Sequence, residues 1–259
     1  KQDLDVHISG DLLNQLVASN YAARTLAIPY FGIYSACATS VEGLILAANM
    51  IEAKQVKTAL CTTSSHNNAA EKQFRYPVEY GGPKRKTTTF TVTGGTAAYV
   101  SREKKGFKII HATLGRVIDL GVKDVYHMGA VMAPAAADTL YRHLQNTKTK
   151  ISDYDLIMTG DLGKYGKQIL IEYMASEYGI TLTNYEDAAC LIYRDVKEAY
   201  AGGSGPACLP LVAYGLLSKK QSYKKVLLIA TGALMNSSMT NQKLSIPAIA
   251  HAISLEVLS

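Results

Sequence analysis

Two stretches of the chain are apolar almost without interruption: "SVEGLILAANMI" at residues 40–51 and "PACLPLVAYGLL" at residues 206–217. Each is long enough for a helix and has no polar face to turn toward water, so each is predicted as a buried helix. Between them, short apolar runs alternate with segments of helical period. The pattern predicts helices over residues 11–27, 39–53, 134–145, 167–178 and 209–217. Strands are predicted over residues 30–36, 56–63, 156–159, 225–230 and 248–257. Residues 90–102 and 107–117 read as two antiparallel strands, and residues 64–89 as a long loop. A water-soluble α/β chain with fully buried helices has to sandwich them between sheets, which themselves need outer helices. The expected architecture is therefore a five-layer αβαβα arrangement.

The two apolar helices also belong to a repeat. "CATSVEGLILAANMIEAKQVKTALCTTSS" (residues 37–65) can be laid over "GGSGPACLPLVAYGLLSKKQSYKKVLLIATGA" (residues 202–233). Each copy has a small-residue turn, a buried helix, a Lys- and Gln-bearing connection, and a strand ending in Thr and small residues. This reads as a duplicated α/β unit with the two central helices facing each other. The halves are expected at residues 1–118 and 119–259, with the first half lacking its beginning. Residue 1 is Lys and not Met, and the chain reads as part of a longer protein.

Composition narrows the picture only a little. The 259 residues are 48% hydrophobic and 19% charged, ordinary for a globular protein. No apolar run reaches the roughly 18 residues that would span a bilayer. The four cysteines, Cys37, Cys61, Cys190 and Cys208, form no C-x-x-C pair, which argues for thiols and against a disulfide frame or zinc site. The net charge of +6 gathers at residues 84–86, 102–105 and 219–225. These clusters read as solvated loops; no nucleic-acid motif accompanies them, so no nucleic acid is expected as a partner. "TVTGG" at residues 91–95 lacks the Gly-Lys-Ser/Thr of a phosphate loop, and Gly94 and Gly95 are expected at the pocket floor. Cys61 and Cys190 are expected in core strands, Cys208 in helix packing, and His251 as a satisfied core histidine.

Candidate chemistry begins at "IYSACATSVEGL", residues 33–44. Thr39 and Glu42 have the spacing of a capping box ahead of the first buried helix. That puts Cys37 at a helix N-terminus, where the macrodipole favours thiolate. A duplicated α/β unit, two buried helices and a helix-terminal cysteine together resemble the thiolase and ketoacyl synthase fold. One branch is closer. "TSSHNNAAEKQFRYPVEYGG", "TVTGG", "GRVIDLG", "MGAVMAPAAADTL", "DLIMTGDLGKYG" and "IPAIAHAISLEV" resemble the stage V sporulation protein AD family of spore-forming bacteria. The resemblance implies binding of dipicolinic acid (pyridine-2,6-dicarboxylate) and help with its uptake into the forespore alongside other SpoVA proteins. It further implies a homodimer, paired through the strand at residues 56–63 as a sheet edge. Its place would be the forespore or spore, soluble or peripheral to the spore inner membrane.

Condensing enzymes of this fold pair the Cys nucleophile with His and with His or Asn. By resemblance to the ketoacyl synthase III type, the His position falls on Gly160 and the Asn position on Gly203. Neither side chain is present, and Asp161 reads as a carboxylate that would repel an enolate. Losing donors of this kind costs on the order of ~3 kcal/mol each in the transition state. Cys37 is therefore expected to keep the position without the machinery, and no catalytic residue is expected. Two glycines in place of larger side chains are expected to enlarge the pocket.

The expected ligand contacts are Cys37, Ala38 and Thr39 at the helix N-terminus, and Gly160, Asp161, Leu162, Gly203, Ser204 and Gly205 at the glycine turns. The intervening loop adds Ser64, Ser65, His66 and Asn67 as donors, Arg75 as a bidentate carboxylate partner, and Phe74 and Tyr76 as ring platforms. Asp161 either holds its turn by accepting backbone N–H bonds or joins a calcium ion bridging to the ligand. No other cofactor or metal is expected. Loop packing for Phe74 to Tyr76, loop capping for His66 and helix capping for Asp161 are the structural alternatives. Two other functions stay open: acyl transfer by Cys37 with an unusual base such as His66, and a ligand-free subunit docked on a membrane channel.

Overall fold

A computed structural model describes residues 4–74, 84–219 and 223–258. The chain opens with β1 (Val6–Asp11), α1 (Val17–Leu26) and β2 (Tyr30–Ile33), then a single 3₁₀ turn at Ala36–Ala38. It continues through α2 (Thr39–Glu52), β3 (Thr58–Ser65), α3 (Asn67–Phe74), β4 (Phe90–Thr91), β5 (Gly94–Ser101) and β6 (Phe107–Thr113). Next come α4 (Met128–Thr147), β7 (Leu156–Thr159), α5 (Gly163–Tyr178), β8 (Tyr185–Asp187), α6 (Ala188–Ile192) and β9 (Gly203–Ser204). The last elements are α7 (Cys208–Lys219), β10 (Lys225–Ala233), α8 (Ser237–Asn241) and β11 (Ala248–Val257).

Two sheets carry the fold, and their strand orders reveal the repeat. The first runs β2-β1-β3-β5, with β2, β1 and β3 parallel and β5 antiparallel to β3. The second runs β8-β7-β10-β11-β6, with β8, β7 and β10 parallel and β11 antiparallel to β10. Three parallel strands followed by an antiparallel one recur in both, and α2–β3 occupies the place of α7–β10. The second sheet adds β6 beside β11. Although β6 precedes residue 118, it is hydrogen-bonded into the second sheet. A short parallel ribbon, Phe90 with Gly203 and Thr91 with Ser204, ties the halves together.

Helix α2 packs against β1, β3 and β5 on one side and β10 and β11 on the other, and α7 touches both β5 and β7. These are the predicted buried helices in the middle layer. Their core joins Ile8, Val41, Ile45, Leu209, Leu228 and Ile253. Strand α/β alternation then divides β10 between two cores: Leu228 faces the middle layer, while Leu227 and Ile229 face Met132, Leu140 and Leu170 of α4 and α5. Helix α1 covers the first sheet from outside. The five αβαβα layers follow, as the sequence predicts.

Several local expectations change. The helix expected from residue 11 starts at Val17, because residues 6–11 form a strand buried along its whole length. Asp11 instead closes that strand, its carboxylate accepting the Leu13 and Ala18 N–H groups at 3.0 and 3.2 Å. The loop at 64–89 contains α3. Helix α4 begins six residues before Pro134, at a cap where His127 Nδ1 accepts the Ala130 N–H. The two strands around residues 90–102 and 107–117 are not partners: β5 pairs with β3 and β6 with β11. Strand β3 is hydrogen-bonded on both sides, so it offers no edge to a second copy; the edges of its sheet are β2 and β5. Cys190 lies in helix α6, not in a strand.

Candidate functional site

The turn bearing Cys37 is built by its polar neighbours. Ala36 sits at φ 51°, a strained conformation for a residue with a side chain. Thr39 Oγ1 accepts the Ser35 N–H at 3.0 Å and donates to the Ala36 carbonyl at 2.7 Å. Ser35 Oγ donates to Glu42 at 2.8 Å. Thr39 and Glu42 thus brace the preceding turn and do not form the predicted capping box; Ala38 is the N-cap, and it has no side-chain cap bond.

A narrow cavity opens above this turn, about 460 Å³ including its mouth. Its wall includes Cys37, Phe74 and Ser204, as expected. The rest was not legible locally: Leu12, Tyr34, Ala36, Thr91, Met128, Met132, Ala233 and Met235. Met128 and Met132, spaced i and i+4 on α4, were the available signal, since flexible thioethers suit adaptable cavity walls. Burial, with nearby Cys37 and Asp11, pushes the Tyr34 phenol up to about 12, so it enters the cavity as a neutral donor. The wall carries hydroxyls, a thiol and apolar groups, and no charged side chain among the described residues.

The remaining expected contacts divide. Ala38 and Thr39 are buried directly behind the Cys37 turn. Ser65 Oγ donates to the Val92 carbonyl at 2.6 Å, and Asn67 donates to that of Thr91 at 3.1 Å, so both hold β3 and α3 to the 90–93 segment. Ser64 is half-buried on β3, and His66 is exposed; neither is on the cavity wall. Arg75 and Tyr76 lie outside the described residues. Gly94 and Gly95 pair with Ser65 and Ser64, and a Cβ on Gly94 would meet Leu211 of α7 at 2.9 Å, so they serve sheet and helix packing and not the cavity floor.

The glycines do not enlarge the cavity. A Cβ on Gly203 would collide with Ile192 Cγ2 at 2.6 Å and Val92 Cγ2 at 3.0 Å, and one on Gly160 would touch Leu209 Cβ at 3.4 Å. At Gly203 neighbouring side chains have taken the space, whereas at Gly160 an added Cβ would make ordinary contacts; neither glycine lines the cavity. Gly205, at φ 112°, is required both by its backbone and by Ser65 Oγ, 2.8 Å from where its Cβ would be.

Two buried carboxyls meet at the β7–α5 turn. Asp187 Oδ2 accepts from Thr159 Oγ1 at 2.7 Å and Leu162 N–H at 3.2 Å, and its Oδ1 accepts from Gly163 N–H at 2.9 Å. It is Asp187, and not Asp161, that holds the β7–α5 turn. Asp161 and Leu162 are fully buried, and neither Asp161 oxygen has a well-formed hydrogen bond among the described residues. Burial, then the Asp187 charge, raises Asp161 well above the usual carboxylate range, with the nearby Gly205 N–H opposing weakly. Burial also raises Asp187, but its three donors oppose the rise, so the push toward the neutral form is stronger at Asp161. Desolvation thus disfavours the anion that the sequence led one to expect at Asp161. Cys208, close to both, donates weakly to the Gly160 carbonyl, and burial holds it as a thiol.

A paired five-layer sandwich with a cysteine turn at the N-terminus of its central helix defines a thiolase-like fold of the ketoacyl synthase III shape. Among solved structures, 3-oxoacyl-[acyl-carrier-protein] synthase III from Aquifex aeolicus VF5 is 14% identical with TM-score 0.62, covering 98% of this chain and 77% of that one. The tetronic acid condensing enzyme AbyA1 is 15% identical with TM-score 0.65, covering 98% and 78%. At such identities the likeness is one of fold. The profile of stage V sporulation protein AD (SpoVAD) matches residues 1–256, and the chain belongs to that family. Stage V sporulation protein AD of Bacillus subtilis (strain 168) is 43% identical over 259 residues, spanning 99% of this chain and 77% of the relative. The family's name is that of a sporulation protein and specifies no reaction. Among the described residues, no helix is long and apolar enough to cross a membrane.

Proposed function

We propose that this chain is a non-catalytic binding protein for dipicolinic acid, aiding its uptake into the forespore with the other SpoVA proteins. One observation carries the non-catalytic half: packing fills the space at Gly203 where an Asn partner would stand, and a buried acid follows Gly160 where an imidazole would. Without those groups a thiol has neither base nor oxyanion donors. His66 does not supply a base, being exposed and off the wall that Cys37 lines. The ligand half rests on family membership and is supported by the cavity's character. Apolar walls with Phe74 suit a flat ring, while Tyr34, Thr91 and Ser204 offer hydroxyl donors. Any calcium enters together with the ligand, held by the ligand's own carboxylates. The protein works at the membrane periphery as a homodimer, its copies meeting along the β2 edge.

Isothermal titration of the protein with dipicolinate, with and without calcium, tests this reading. Saturable binding near one site per chain is expected. Absence of heat, and of any melting-temperature shift at millimolar dipicolinate, overturns it.

A further inference from the structure

We propose that the two turns at residues 117–123 and 239–244 form a lipid-docking face, which seats two leucines in an anionic membrane surface while two lysines meet its headgroups. This rests on the reading of the chain as peripheral to a membrane and deepens it; it does not depend on the ligand in the cavity.

The two turns are neighbours in space and are held rigidly. After β6 the chain runs beside the segment that enters β11. Ile118 and Ala248 exchange both backbone hydrogen bonds at 2.8 Å, and the Ile246 N–H donates to the Val122 carbonyl at 2.8 Å. Ser245 Oγ clips the turns together by donating to Asp119 Oδ2 at 2.6 Å. Asp119 Oδ1 accepts the Gly121 N–H at 2.9 Å, which closes a tight turn over Leu120, and Gly121 takes φ 79° there. On the other side Lys243, at φ 61°, follows the end of α8, and the Leu244 N–H returns to the Met239 carbonyl at 3.1 Å.

Ile118 and Val122 pack onto the core beneath α4. What the turns leave outside is apolar: Leu120 is 60% exposed and Leu244 49%, and Val117 and Met239 are exposed beside them. Four large apolar side chains on two joined turns make a patch, unlike the single exposed residues normal on a surface. Lys123 and Lys243 flank the leucines, are exposed, and have no ion pair among the described residues. Of the acids nearby, Asp124 faces Arg85 at 3.4 Å, and both Asp119 oxygens already accept bonds.

This composition favours lipid over protein. The two turns contain no aromatic residue and carry lysine where protein interfaces prefer arginine. Lysine stems can lie along the leucines while their ammonium ends stay among lipid headgroups. Anionic lipid attracts both lysines, and the chain's net charge of +6 draws the whole protein toward such a surface. The face also adjoins the cavity: Met235 lines the cavity, and Asn236, the next residue, caps the helix that carries Met239.

The test is co-sedimentation with vesicles of phosphatidylcholine alone and of phosphatidylcholine with an equal part of phosphatidylglycerol, each variant first checked for a native-like melting transition. The native chain is expected to bind the anionic vesicles, and less as salt rises. Leu120→Ser with Leu244→Ser should weaken binding about ten-fold or more, and Lys123→Glu with Lys243→Glu about as much at low salt. Val196→Ser, which removes an exposed apolar side chain elsewhere, should leave binding unchanged. Equal binding to the neutral vesicles overturns the proposal, as does native-like binding by the leucine pair. If the leucine pair fails to fold, unchanged binding by the lysine pair overturns it. A native chain that binds neither vesicle assigns the face to a protein partner and also overturns it. Dipicolinate calorimetry on the same samples separates the two failures: binding of ligand without vesicles removes this face alone, and binding of vesicles without ligand removes the proposed ligand alone.

Discussion

Asp161 and Asp187 share one buried turn but divide its hydrogen bonds unequally. Asp187 accepts from Thr159, Leu162 and Gly163, at 2.7, 3.2 and 2.9 Å, while Asp161 has no well-formed bond. Removing Asp187 orphans three buried donors. Asp187→Ala should therefore destabilise by on the order of 3 kcal/mol or more. Asp161→Asn removes no such bond and a costly buried acid, so its stability should match or exceed native. Denaturant midpoints of the two variants check the assignment; a larger loss in Asp161→Asn would reverse the two roles.

Cys37 should not turn over acyl substrates. Incubation with acetyl-CoA is expected to leave the intact mass unchanged, and condensation with malonyl carrier protein should equal a Cys37→Ala control. Restoring the enzyme side chains through Gly160→His with Gly203→Asn should not create activity, because Ile192 and Val92 occupy the Asn site. Turnover above the Cys37→Ala control would show that another residue serves as base.

His143 makes stability fall in acid. It is fully buried between Thr113 Oγ1 at 2.8 Å and the Tyr154 hydroxyl at 3.1 Å. Burial, then repulsion by His111 and Lys225, holds its pKa down to about 4, against 6.5 ordinarily. The folded imidazole stays neutral while the unfolded chain takes up a proton below pH 6.5. The contribution is thus complete above pH 6.5 and declines as pH drops toward 4. Its full size is on the order of 3 kcal/mol, from about 1.4 kcal/mol per pKa unit. Unfolding midpoints at pH 7 and 5 should differ less in His143→Gln than in native; equal differences would assign the acid sensitivity elsewhere.

The β2 edge should carry the dimer. Phe31, on that strand, is 53% exposed, and among the described residues β2 bonds only β1. Phe31→Lys is expected to shift sedimentation from dimer to monomer without changing the melting of the fold, since a charge on an edge opposes strand pairing. A native chain that sediments as a monomer at micromolar concentration, or a Phe31→Lys variant that stays dimeric, counts against this edge.

The sequence by itself determined the elements whose signal is local. Helix Thr39–Glu52 and strands Leu156–Thr159 and Ala248–Val257 were legible from periodicity and turn residues, and two all-apolar helices were enough to require five layers. The Cys37 turn and the missing His and Asn were legible for the same reason, as residue identities at fixed spacing. What lies beside a segment was not. An extended run announces a strand but does not name its neighbours, so the middle place of Thr58–Ser65 and the separate partners of Gly94–Ser101 and Phe107–Thr113 belong to the tertiary structure. The same holds for the space at Gly203, filled by Val92 from one half and Ile192 from a nearby helix. It holds most for Asp161. Its charge depends on complete desolvation and on Asp187, distant in sequence, whose carboxylate wins the backbone donors. Desolvation and Coulomb energy depend on three-dimensional neighbours, and only the packed chain fixes which groups those are.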